Sequence, residues 1–107
     1  MVLLGLGGDG HVLSVFPGSA TFDSIRWAVA VPAPSHIEPH VERVTLNPSI
    51  VTVARRVVVV AQGAAKAGVV RRIFTEDREP RMLPGQLALR EGATWILDEA
   101  AAADLPR

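Results

Sequence analysis

Asp9 and His11 stand two residues apart inside a glycine-rich stretch, Gly5-Leu6-Gly7-Gly8-Asp9-Gly10-His11. An imidazole titrates near neutral pH, so it can accept a proton in one step and return it in the next. A carboxylate two residues away can orient that ring, or the water it activates. The pairing predicts His11 as a general base and Asp9 as its partner. Glycines let the backbone approach a ligand closely, and their N–H groups can face a developing oxyanion. Gly8 and Gly10 are the expected donors. Set against this is the plainer reading of a tight turn followed by a surface histidine.

The turn follows Val2 to Leu6, a short apolar run that stops at glycine. Strands buried on both faces of a parallel sheet look like this, and the carboxyl edge of such a sheet is where open α/β folds bind ligands. Gly5-x-Gly7-x-x-Gly10 also fits the dinucleotide fingerprint. That fingerprint needs an acidic residue at the end of a second strand about 20 residues on, and Asp23 and Glu38 are badly placed for it. Nucleotide binding is therefore not expected.

Further along, Trp27 to Val31 is a second apolar run, closed by Pro32 and Pro34. Pro32 to Glu42 reads as a surface loop; its prolines argue against a helix that would pair His36 and His40 on a metal. Arg43-Val44-Thr45-Leu46 is β-prone. Asn47-Pro48 then starts a helix, with Asn as cap and Ile50, Val51, Val53 and Ala54 on one face. Val57 to Val60 is the strongest strand signal. The spacing predicts a helix from about Ala64 to Phe74, with Ala65, Val69, Val70 and Ile73 inward and Arg71 and Arg72 outward. Leu87 to Arg90 reads as a helical turn and Thr94 to Leu97 as a last strand. Asp98 should cap an alanine-rich helix running to about Asp104. Trp27 and Trp95 are expected in the core, and Arg55 and Arg56 in solvent. The order predicts one α/β domain over residues 1–107: a mostly parallel sheet flanked by helices, a modified Rossmann-like layer.

Composition sets limits on partners. Hydrophobic residues make up 49% of 107, enough for a packed core. Eleven basic and eleven acidic residues cancel, which argues against nucleic acid or an anionic membrane surface. Any anion must be gripped locally. The absence of cysteine excludes thiolate chemistry and fits a reducing cytoplasm. No apolar run approaches the roughly 20 residues of a membrane span, and MVLLGLGG is short for a secretion signal. A sheet edge left without a neighbour favours self-association, so a homodimer is an expected state.

Leu3 to Ser19, LLGLGGDGHVLSVFPGS, resembles the signature of the 6-phosphogluconolactonase family, a G-x-G-x-DGH-x-x-S-x-FPG run after a strand. Arg43-Val44-Thr45-Leu46 resembles the family's RVTL segment, Gly63-Ala64-Ala65-Lys66-Ala67 its G-x-x-KA segment, and Trp95-Ile96-Leu97-Asp98 its W-x-x-D segment. The four blocks keep the family's order. Family members more often carry Pro at the place of Gly8 and Thr-Ala at Val12-Leu13. The match begins at a strand from the middle of the family's fold, so the chain reads as the C-terminal part of a longer sugar-phosphate protein.

The resemblance implies hydrolysis of 6-phosphogluconolactone without a cofactor or metal. It implies a phosphate grip by Lys66, at the start of its helix, and by Arg43. By likeness to the related glucosamine-6-phosphate deaminases, Ser19 and Arg26 are weaker phosphate candidates. Those deaminases usually carry Asn-Glu where this chain has Val15-Phe16, which favours the lactonase. A deaminase-like enzyme and a non-catalytic sugar-phosphate-binding fragment are the alternatives.

Overall fold

The computed structural model describes residues 1–106. Three parallel strands form its centre: β1 (Val2–Leu4), β4 (Val57–Ala61) and β5 (Ala93–Leu97), in the order β1-β4-β5. Val2 lies opposite Val57, and Val57 opposite Ala93. β4 takes the middle because its valines suit a strand with neighbours on both sides and little room for polar groups. β2 (Ala28–Val31) and β3 (Arg43–Leu46) stand apart as a two-stranded antiparallel ribbon. The expected strand at Trp27 to Val31 is therefore present but belongs to this ribbon. Trp27, expected in the core, is 61% exposed because it lies just before β2, outside the packed layer.

Helix α1 (Ser49–Val53) precedes β4, and α2 (Ala67–Thr75) follows it. Val69, Val70 and Ile73 of α2 pack with Leu4, Val57, Val59, Leu83 and Ala88 in the core. Each fully buried aliphatic side chain contributes about 1.5–3 kcal/mol. Residues 64–66 form a 3₁₀ turn ahead of α2, which leaves Ala65 exposed and gives the inward position to Ala67. In α1, Val51 is buried but Val53 is exposed, since five residues offer only a narrow inner face.

Two polar side chains close helix ends that sequence inspection passed over. Buried Gln86 donates to the carbonyls of Ile73, Glu76 and Asp77 and accepts from the Glu79 N–H. Arg90 donates to the Val51 and Ala54 carbonyls at the end of α1. α1 begins one residue later than expected, with Pro48 at the cap position, and Asn47 accepts from the Ser49 N–H at 3.0 Å just ahead of it. Its amide also donates to the carbonyls of Ser24 and Arg26, which anchors the approach to β2.

Two further expectations shift. The helical turn lies at Pro84–Ala88 rather than Leu87 to Arg90. After β5, the alanine-rich segment is a run of turns, not a helix. Asp98 does cap it, accepting from the Ala101 N–H at 2.8 Å, but the same carboxylate also accepts from Gly63. A short segment anchored at its first residue to another loop gains too few successive i→i−4 bonds to propagate.

Only one face of the parallel sheet is covered. Leu3, Val60 and Ile96 point away from the core and are 66%, 40% and 53% exposed. No helix of the described residues is long and apolar enough to cross a membrane.

Candidate active site

Parallel neighbours bring their carboxyl-end loops together. β1 and β4 run side by side, so the turn after Leu4 and the turn after Ala61 meet at one edge. The first turn carries His11, and the second carries Lys66. The Lys66 ammonium crosses between them and donates to the Leu6 carbonyl at 2.6 Å. A cleft of about 500 Å³ opens at this edge, lined by Gly7, His11, Glu38, Arg43 and Lys66 among others. Its remaining walls come from β1, the segment that follows it and the loop before β3.

The Gly7–His11 turn closes on itself. Gly7 N–H donates to the His11 carbonyl at 2.9 Å, and Gly10 N–H donates to the Gly7 carbonyl at 3.0 Å. Gly10 has φ +91°, a conformation that favours glycine, and a side chain there would strike Leu83. The Gly10 N–H is therefore already satisfied, which corrects its expected role as an oxyanion donor. Gly8 is exposed, next to Gly7 of the cleft lining but not itself part of it.

Asp9 is held on three sides. Its Oδ1 accepts from the His11 N–H at 3.0 Å and meets His11 Nδ1 at 2.5 Å. Its Oδ2 meets His36 Nε2 at 2.8 Å. Partial burial opposes the charge of Asp9, but the His11 N–H, His36 and the His11 ring outweigh it and hold the carboxyl below its ordinary range. The carboxylate is thus ionised at neutral pH and can only accept. His11 Nδ1 and His36 Nε2 must both carry protons. A neutral His11 then has a bare Nε2, which is the form a general base needs.

Phe16 is the floor on which these groups rest. Its ring lies 4.7 Å from that of His11, tilted by 52°, and 5.7 Å from that of His36, edge-on at 83°. The Arg43 guanidinium stands 5.7 Å from the same ring. Arg43 Nη2 donates to the Pro39 carbonyl at 2.8 Å, while its Nε is buried without a partner.

His11, Asp9, Lys66 and Arg43 thus converge. Ser19 and Arg26 do not. Ser19 Oγ accepts from the Thr21 N–H at 3.2 Å and pairs with the Thr21 hydroxyl at 2.8 Å, so it caps a 3₁₀ turn (Ala20–Asp23). Arg26 is exposed before β2, outside the cleft lining. Neither residue lines this cleft. Sequence inspection missed His36, which it took for a solvated loop residue. A partner 27 positions from Asp9 leaves no local pattern to find. Phe16 lies within the FPG run, where its place in the motif was the available signal.

A further feature ties the second turn to the sheet. Asp98, at the end of β5, accepts from the Gly63 N–H with both carboxylate oxygens at 3.1 Å. The N–H groups of Ala101 and Gly63 together hold its carboxyl below the ordinary range. Gly63 has φ +93° and begins the turn that delivers Lys66.

Residues 1–96 match the family described as Glucosamine-6-phosphate isomerases/6-phosphogluconolactonase. The chain belongs to this family. It is 39% identical over 103 residues to 6-phosphogluconolactonase of Rattus norvegicus, and 38% identical over 104 residues to that of Homo sapiens. Each alignment covers 95% of this chain, but only 39% of the rat and 40% of the human protein. The chain spans about two fifths of the length of these relatives. Among solved structures, 6-phosphogluconolactonase from Trypanosoma brucei superposes with a TM-score of 0.81 at 37% identity, covering 98% of this chain and 41% of that one. A monomeric glucosamine-6-phosphate deaminase shares the fold, with a TM-score of 0.75 at 20% identity.

Proposed function

We propose that this cleft serves the hydrolysis of 6-phosphogluconolactone to 6-phosphogluconate. The observation that carries this reading is the convergence of His11, Lys66 and Arg43 on one cleft of about 500 Å³. The rat, human and Trypanosoma brucei relatives are 6-phosphogluconolactonases, which supports this choice of substrate.

In this mechanism the bare Nε2 of His11 takes a proton from water as the water oxygen attacks the lactone carbonyl. The carbonyl electrons move onto oxygen to give a tetrahedral oxyanion. When that collapses, the bond to the ring oxygen breaks, and the His11 imidazolium returns its proton to the leaving oxygen. Ring opening yields the free acid, which ionises in water. Asp9 orients the ring and stabilises its charged form between the two steps. Lys66 and the Arg43 guanidinium, both on the cleft, hold the substrate phosphate.

Residues 1–107 are read as one α/β unit of a longer sugar-phosphate fold, in a reducing cytoplasmic setting. The bare sheet face at Leu3, Val60 and Ile96 is then covered by the remainder of such a fold or by self-association.

The direct test is lactone hydrolysis measured above the spontaneous rate, for this chain alone and for a protein that includes the rest of a family member's fold. His11→Ala should reduce the enzymatic rate to background in whichever form is active. An unchanged rate in that variant would remove His11 as the base.

A further inference from the structure

We propose that His36 is a positioning residue for this reaction: its Nε2–H, donated to Asp9 Oδ2, holds the carboxylate in the plane that keeps His11 in its Nδ1–H tautomer. The proposal rests on the reading of His11 as the base.

Both contacts from His11 fall on a single oxygen of Asp9, and both come from two residues away. A carboxylate held only through Oδ1 can swing about its terminal torsion, which is broad for aspartate. Water then competes for the exposed oxygen. The contact from His36 at 2.8 Å is on the other oxygen and comes from 27 residues away. It fixes the carboxylate plane from outside the turn. Neutral imidazole in water favours the Nε2–H tautomer, the wrong one for a base at Nε2. The carboxylate reverses that preference only while it faces Nδ1 squarely.

His36 is itself braced, although its side chain is half exposed. Its ring abuts the edge of Phe16, the same ring that supports His11. Its loop is cross-tied by His40 to the Pro34 carbonyl at 2.9 Å and by Arg43 to the Pro39 carbonyl at 2.8 Å. His36, Phe16 and Arg43 therefore make the loop between β2 and β3 a wall of the site, not a solvated connection. Lys66 and Arg43 contact neither oxygen of Asp9, so no other cation on the cleft replaces the His36 donor.

The test compares His36→Ala with His36→Gln, whose amide can still donate. Long-range ¹H–¹⁵N spectra of the imidazoles report the His11 tautomer without any substrate. His36→Ala should move His11 from the Nδ1–H form toward a mixture, with kcat down roughly tenfold and KM unchanged. His36→Gln should restore both. A pure Nδ1–H signal and an undiminished kcat in His36→Ala would overturn the proposal, as would a glutamine variant no better than alanine. The tautomer measurement needs no turnover, so it decides this inference even where the hydrolysis assay rejects the base assignment.

Discussion

The imidazole of His11 lies against the α-carbon of Gly7. A Cβ built at Gly7 would fall 2.1 Å from both Cε1 and Nδ1 of the ring. The ring can move only by giving up its grip on Asp9 through Nδ1 and its contact with the tilted Phe16 ring. Gly7 is thus the seat of the base, and its lack of a side chain is a requirement of the site.

Gly7→Ala is expected to displace the imidazole by about an ångström, enough to cost around 10²-fold in kcat. The Gly7 backbone is not in the left-handed region, so the cost to the fold is that of relieving the clash, about 1–3 kcal/mol. Rate assays paired with denaturant unfolding check this. An unchanged kcat would show that the ring is not held as described.

Lys66→Met and Arg43→Met remove the two cations of the cleft. If they grip phosphate, each should raise KM by about 10–100-fold, the range for losing a charge-assisted hydrogen bond of 1.5–3 kcal/mol, while kcat changes less. Lactonase kinetics on the phosphorylated substrate and on its unphosphorylated analogue separate the cases. The analogue should be hydrolysed equally poorly by parent and variants. A selective defect in kcat would place these cations at the reacting carbonyl instead.

Much of this site was legible because its parts lie in short, chemically distinctive runs. Asp9 and His11 are two residues apart, and the turn that holds them has the glycines its geometry needs. Val57 to Val60 announced a central strand because β-branched residues with no polar alternation have few other homes. What stayed hidden depends on long-range pairing. The antiparallel ribbon joins Ala28 to Leu46 across a loop whose length says nothing of its direction. Trp27 looked like core because it is large and apolar, but its surroundings are set by that ribbon. Ser19 and Arg26 had the right residue types, and their neighbours Thr21 and Asn47 draw them into local structure. Gln86 gave no signal at all, since its partners lie 7 to 13 residues back.

Gln86 offers a test of the frame behind the cleft. It is 1% exposed and supplies partners to the carbonyls at the end of α2 and to the Glu79 N–H. Gln86→Leu keeps the volume but takes a donor from the buried Ile73 carbonyl and partners from three part-buried groups. A destabilisation of about 2–4 kcal/mol is expected, the sum of one or two buried orphaned groups. Urea unfolding measures it. A neutral effect would mean that water reaches the end of α2 and replaces the side chain.

The last prediction concerns acid. Asp98 has a carboxyl held below its ordinary value of 3.8 by the N–H groups of Ala101 and Gly63. A depressed folded-state value means that the carboxylate stabilises the fold above the unfolded value. That contribution is lost as pH falls through the folded value, so its window lies below about pH 4. Asp98→Ala should therefore lower the unfolding midpoint at neutral pH, and the difference from the parent should shrink as the pH drops through that window. Because Asp98 ties down the Gly63 turn that delivers Lys66, the variant should also raise KM at neutral pH while leaving the His11 tautomer signal unchanged. Thermal unfolding across pH and the imidazole spectrum check the two halves separately. A gap between variant and parent that persists undiminished well below pH 3 would show that the aspartate acts through packing and not through its charge.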